Sequence, residues 1–198
     1  MNTKKIFIIT IVCAAFIFSA VFGVFFFIRE LNTVKLPVLG QVKPFVLTDT
    51  EEKQFFSQKL RGKVWIADFI FTSCGDVCPM MSKNMAGLSR TFEAVPAVQL
   101  VSISVNPEVD TPQKLKEYKS QFKKVGDNWH LLTGNREDIK DIVLNSFKLG
   151  KVDEPIFHSS YFALIDRSGY IRGYYDGKTD EDIKVLFKEA SGLLKERF

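Results

Sequence analysis

Histidine and cysteine are scarce in this chain, two of the first and three of the second among 198 residues. Metal or thiol chemistry therefore has few places to sit. No basic block interleaves with aromatics, and 27 basic against 23 acidic residues leave a net charge of only +4. The footprint of a nucleic-acid-binding surface is missing. Setting aside Lys4 and Lys5 at the N-terminus leaves about +2 for the rest of the chain. Internal repeats and low-complexity tracts are absent as well, which excludes a repeat array. Once a membrane segment and a short linker are removed, about 160 residues remain, enough for one domain with its own core but not comfortably two.

The membrane segment is the first positive feature. Ile6 to Ile28 is almost unbroken in apolar character, with Lys4 and Lys5 before it and Arg29 after. It is long enough to cross a hydrocarbon core of ~30 Å. Read as one transmembrane helix, it leaves residues 1–5 as a cytoplasmic tail, because the two lysines hold the short N-terminus inside. Everything after Ile28, beginning with a linker over 29–41, then lies across the membrane. A cleaved signal peptide is the weaker alternative: the run exceeds a signal core of roughly 7–15 residues, and no Ala-x-Ala site follows it. Cys13 lies within the span, and Thr10-Ile11-Val12 before it lacks the small residue that precedes a lipidated cysteine. It reads as an inert thiol.

The other two cysteines stand in Asp68-Phe69-Ile70-Phe71-Thr72-Ser73-Cys74-Gly75-Asp76-Val77-Cys78-Pro79. An apolar run like a buried strand here delivers two sulfurs to the start of a helix. Backbone N–H groups and the dipole at a helix N-terminus favour thiolate over thiol, and Pro79 suits a first helical turn. At a helical offset of four, the two Cα atoms would lie on the order of 6 Å apart, within reach of a disulfide. Cys74 and Cys78 are candidates for metal binding or for redox chemistry.

Periodicity along residues 42–198 alternates between strand and helix. Phe45 to Thr48 and Gln54 to Phe56 resemble a hairpin, and Val64 to Phe71 a strand buried on both faces. A helix is predicted over about Pro79 to Glu93. Val98 to Val105 is β-rich, and Thr111 caps a helix opened by Pro112. Trp129 to Leu132 reads as a short strand and Asn135 to Ser146 as helical. Tyr161 to Asp166 and Tyr170 to Tyr174 form a hairpin turning near Ser168-Gly169, and Thr179 to Lys195 is the last helix. The order predicts an α/β fold, a mixed sheet flanked by helices on both faces. In such sheets, sites gather at the carboxyl ends of strands. A third ligand would come from another loop at that edge, and His158, just before the Tyr161 strand, is the candidate; a structural histidine is the equal alternative. His130, inside Trp129-His130-Leu131-Leu132, reads as an ordinary hydrogen-bonded imidazole.

From Val42 onward the chain resembles the Sco/SenC family of thioredoxin-like, membrane-anchored proteins that deliver copper to cytochrome c oxidase. The resemblance rests on Asp68-Phe69-Ile70-Phe71-Thr72, on Cys74-x-x-x-Cys78-Pro79, and on Ser104-Val105-Asn106-Pro107-Glu108-Val109-Asp110-Thr111-Pro112. It extends to Leu132-Thr133-Gly134, His158-Ser159 and Leu164-Ile165-Asp166-x-x-Gly169. By this resemblance Cys74, Cys78 and His158 correspond to the copper ligands, one copper per chain. The partner implied is the copper-binding subunit of the oxidase, and the location is a bacterial cell membrane, crossed once, with the domain extracytoplasmic. Family members often carry Pro where this chain has Gly75, and Asp-Pro where it has Asn106-Pro107.

Two thiolates and an imidazole suit Cu(I), and the same set with an oxygen ligand holds Cu(II) or zinc. Asp76 is a possible transient oxygen ligand, against the plainer reading of a solvated loop carboxylate or helix-start charge. Asp68 stands six residues before Cys74, the offset of the buried acid that precedes the cysteine pair in thioredoxins. Proton transfer to a thiol and a satisfied structural carboxylate carry equal weight there. Beside metal delivery stands a different class of function, a thiol-disulfide oxidoreductase that keeps the oxidase's copper-binding cysteines reduced. A copper or redox sensor is a third. Whether the protein is an enzyme depends on that choice.

Overall fold

A computed structural model of the chain describes residues 15–24, 36–149 and 159–196. The chain divides into two compact units at Lys35/Leu36. In the first, residues 15–24 form a helix, α1, whose side chains are all exposed, among them Phe16, Phe18 and Phe22. Among the described residues no helix is long and apolar enough to cross a membrane. The rest of the transmembrane helix expected over Ile6 to Ile28, with Cys13, lies outside the described residues.

The second unit is built on one eight-stranded sheet. Its strands are β1 (Gly40–Gln41), β2 (Val46–Asp49), β3 (Gln54–Phe56), β4 (Val64–Ile70), β5 (Val98–Ser104), β6 (Trp129–Thr133), β7 (Tyr161–Ile165) and β8 (Tyr170–Asp176). In space they run β1-β8-β7-β4-β5-β6-β2-β3. β4, β5 and β6 are mutually parallel, and every other pairing is antiparallel. The sheet is mixed, as expected, because the final strands form a hairpin. β1 corrects one boundary: Gly40 and Gln41, expected in the linker, pair with Ile171 and Tyr170. Two residues are too short a run to show period-two alternation, so sequence had no signal for them.

Alternation along the central strands divides the core into two layers. Val64, Ile66 and Ile70 of β4 face one side and pack with Met81, Met85, Leu115, Leu186 and Ala190. These come from α2 (Val77–Thr91), α3 (Pro112–Ser120) and α5 (Asp180–Leu193). Trp65, Ala67 and Phe69 face the other side, against Ile139, Val143 and Phe147. That second layer is α4 (Arg136–Asp141) and the π-helical turn Ile142–Ser146 that continues it. The single helix expected over Asn135 to Ser146 thus changes pitch midway. The Phe147 N–H reaches back to the Ile142 carbonyl at 2.9 Å, and the Phe147 ring packs edge-on to both Trp65 and Phe69. Packing of one large ring decides the pitch there, which periodicity cannot foresee.

Local rules hold elsewhere. Thr111 caps α3 by accepting from the Lys114 N–H, with Pro112 at the first helical position. In the β7–β8 turn, one Asp166 carboxylate oxygen accepts the Ser168 and Tyr170 N–H groups at 2.9 and 3.0 Å. Gly169 there sits at φ 86°, a conformation that side-chain-bearing residues resist.

Candidate metal and thiol site

The site is built where β4 ends. Strand β4 is buried along its whole length, and the chain leaves it through a turn closed by the Cys74 N–H on the Phe71 carbonyl, 3.2 Å. α2 then begins at Val77, two residues earlier than expected, so Cys78 and Pro79 lie inside its first turn and Cys74 precedes the helix. This corrects the picture of two cysteines on one helical face. Cys74 is partly exposed and Cys78 buried, and both are free thiols.

The start of α2 has no conventional cap. Asp76 occupies the cap position at φ −118°, ψ −84°, and its carboxylate makes no capping bond; no acidic residue stands in the first turn. The unpaired N–H groups there are instead directed to sulfur. Burial pulls the Cys74 pKa up, but the N–H groups of Cys78, Asp76 and Val77 and the Cys78 thiol outweigh it, so the Cys74 pKa falls below its ordinary 9.0. Cys78 goes the other way. Burial, then the neighbouring Cys74 and Asp68, push it up to about 12, against one opposing Phe71 N–H. The pair is therefore unequal: the partly exposed Cys74 thiol gives up its proton more readily than the buried Cys78 thiol.

Two buried groups stand under Cys78. Asp68 is fully buried, and neither carboxylate oxygen has a hydrogen-bond partner. Burial raises its pKa to about 7, against weaker opposing pulls from the Ser102 hydroxyl and its own backbone. The Ser102 oxygen is itself engaged, accepting from the Trp129 indole at 2.9 Å. The satisfied structural carboxylate expected as one alternative for Asp68 is not what the fold contains. Tyr118 donates to Ser82 at 2.8 Å, and burial lifts its pKa to about 12.

A further acid, Asp110, ties the turn down. It is fully buried and accepts from the Thr72 N–H at 3.0 Å, the Thr72 hydroxyl at 2.5 Å and the Ser104 hydroxyl at 2.6 Å. In the sequence Asp110 stands within the 104–112 motif with no sign of this contact. Its spacing from Thr72 in sequence, 38 residues, hides the contact.

His130 lies on the opposite face of the sheet from α2. Its ring bonds Gln99 at 2.8 Å and packs on Phe55 at 5.0 Å between centroids. Burial, then nearby lysines, push its pKa down to about 4. It is the hydrogen-bonded core imidazole expected. His158 lies outside the described residues. Its neighbours are described: the Tyr161 N–H donates to the Ser159 hydroxyl at 3.2 Å. The antiparallel register Trp65↔Ile165 and Ala67↔Ala163 sets the start of β7 at the end of β4 that leads to Cys74. Among the described residues no three His, Cys, Asp or Glu side chains are grouped to hold a metal.

The SCO1/SenC family profile matches residues 39–190. The chain belongs to this family. A SCO1 protein homolog of Bacillus subtilis (strain 168) is 34% identical over 169 residues, spanning 81% of this chain and 88% of the relative. The structure of BsSco, in which a disulfide switch is identified and which is described as a member of the Sco family of cytochrome c oxidase assembly proteins, matches with a TM-score of 0.69 and 31% identity. It covers 81% of this chain and 98% of its own. Bradyrhizobium japonicum ScoI with copper bound matches at TM-score 0.60 and 28% identity, covering 74% of this chain and 97% of its own. The fold is thus the thioredoxin-like α/β arrangement of the Sco family.

Proposed function

We propose that the chain is a membrane-anchored copper metallochaperone that holds one copper through Cys74, Cys78 and His158 and supports maturation of the copper site of cytochrome c oxidase. The observation that carries this reading is the pair of free sulfurs at an uncapped helix start, one partly exposed and one buried. Two soft donors suit Cu(I). The copper-bound Bradyrhizobium relative and the assembly role ascribed to BsSco support it. His158 is the third donor by family resemblance, and the register of β7 against β4 brings its neighbour Ser159 toward the same sheet edge.

The residues divide the work of handling copper as cargo. Cys74, partly exposed and with its pKa lowered, meets incoming metal first; Cys78 must give up its proton to join. A site with three protein donors at a surface leaves one face open, from which a partner's own sulfurs take the metal by ligand exchange. The apolar run Ile6 to Ile28, with Phe16, Phe18 and Phe22 exposed on the helix over 15–24, and Lys4 and Lys5 before it support a single membrane anchor and an extracytoplasmic domain.

The sulfur asymmetry favours one second reading. A partly exposed thiol with a lowered pKa beside a buried one with a raised pKa is also the arrangement of a thiol-disulfide oxidoreductase, with Cys74 attacking and Cys78 resolving. Copper titration of the reduced full-length chain with histidine variants tests the metal reading. H158A should weaken binding or alter the sulfur-to-Cu(II) charge-transfer absorption, and H130A should leave both unchanged. Equal effects from the two variants would remove His158 from the site.

A further inference from the structure

Within its own segment the turn that carries Cys74 is closed by the Cys74 N–H on the Phe71 carbonyl. Between Ile70 and Val77 the chain has no regular structure, and Gly75 leaves open space where a side chain would stand. A carboxylate from another loop restrains it further. Asp110 takes both the backbone N–H and the hydroxyl of Thr72, two residues before Cys74, and holds the Ser104 hydroxyl at the end of β5 as well. Its own loop is pinned in turn: the Asp110 N–H donates to the Asn106 carbonyl at 2.9 Å, and the Asn106 N–H donates to Ser104 Oγ at 3.1 Å. The other acid of that loop, Glu108, is exposed and paired with Arg136. Within 105–111, Asp110 alone presents a buried carboxylate to the cysteine turn.

From this geometry we infer that Asp110 is a positioning residue for the cysteine pair: through Thr72 it fixes the turn that presents the Cys74 sulfur to the N–H groups opening α2 and to Cys78. The inference deepens the metal reading and rests on it for its copper arm only. A buried carboxylate accepting three hydrogen bonds is a rigid tie, since losing one partner strands the others in a region closed to water. Groups that orient a metal-binding side chain without touching the metal typically change affinity by about 10- to 100-fold. The tie acts on Cys74 and not on Cys78, which is held independently inside α2.

The test compares the full-length chain with D110N, T72V and T72S. D110N keeps the shape of the side chain but turns one acceptor into a donor facing hydroxyls and an N–H. T72V removes the hydroxyl and keeps the backbone bond, and T72S restores the hydroxyl. The direct readout is the pH midpoint for alkylation of Cys74, followed by mass spectrometry of its peptide; the second is copper affinity by competition. The midpoint should move upward in D110N and T72V and return in T72S, with copper affinity falling about 10- to 100-fold in the first two. If both variants alkylate at the wild-type midpoint, whatever happens to their melting temperature, the tie serves stability alone and the inference is wrong. If D110N does not fold, T72V against T72S decides the question. If the wild-type chain binds no copper, the metal reading fails, and the alkylation midpoints still decide whether Asp110 positions Cys74.

Discussion

Asp68 shows how much one side chain sets the character of this site. Its aliphatic neighbours Ile66 and Ile70 pack against α2, and the carboxylate between them is buried without a partner. The charged form is therefore disfavoured, and the folded pKa of about 7 stands above the ordinary 3.8. Well below pH 4 a carboxyl group raised in this way is neutral in folded and unfolded chains alike and adds no pH dependence to stability. It costs stability progressively as pH rises toward 7, and the cost is constant above that. D68N should thus match wild type near pH 4 and exceed it by about 4 kcal/mol above pH 7, as read by urea unfolding across that range. A difference that does not change with pH would show that Asp68 is partnered after all. The offset of six from Cys74 and the apolar surroundings made the burial of Asp68 legible in sequence. Its lack of a hydrogen-bond partner was not, because that depends on which groups the neighbouring strands bring beside it, Ser102 of β5 standing opposite it in register.

At the scale of elements, the decisive one is the junction of β4 and α2. The apolar run announced the strand and the two cysteines announced the junction, since both are local patterns. The helix start was misplaced by two residues because Pro79 is acceptable anywhere in a first turn and so does not mark its first position. Thr111 before Pro112, by contrast, located its helix correctly, because a hydroxyl cap and a ring-fixed φ agree on one place. Gly75 lies in the junction with open space around its Cα and without the positive φ of Gly62 and Gly169. A side chain fits there, and its main effect is to reduce the freedom of the unfolded chain. G75A should therefore raise stability by roughly 0.4–1 kcal/mol, seen as a higher denaturant midpoint with an unchanged slope. A lower midpoint would show that the junction needs the glycine. The π-helical turn and β1 were beyond sequence for opposite reasons. The turn answers to the packing of Phe147, and β1 is too short to carry a period.

For the whole molecule, the sheet order places the ends of β4 and β5 and the beginning of β7 along one edge, which is why residues 38 positions apart in sequence, Thr72 and Asp110, meet there. Strand and helix patterns were enough to foresee a mixed α/β sheet with the cysteine junction at the end of a central strand, whereas the partners linking the loops were not. Lys4 and Lys5 before the apolar run predict that a reporter fused after Phe198 is active only on the extracytoplasmic side and stays with the membrane after a salt wash. Activity in the cytoplasm would reverse the topology. The central claim, that the two sulfurs act together as copper ligands, is tested most directly by the copper affinity of the reduced chain with C74S and with C78S. The account predicts that each substitution alone abolishes tight binding, because one thiolate and an imidazole cannot replace the lost soft donor. Wild-type copper affinity in C78S, together with a stable mixed disulfide between its Cys74 and an oxidase subunit, would contradict it.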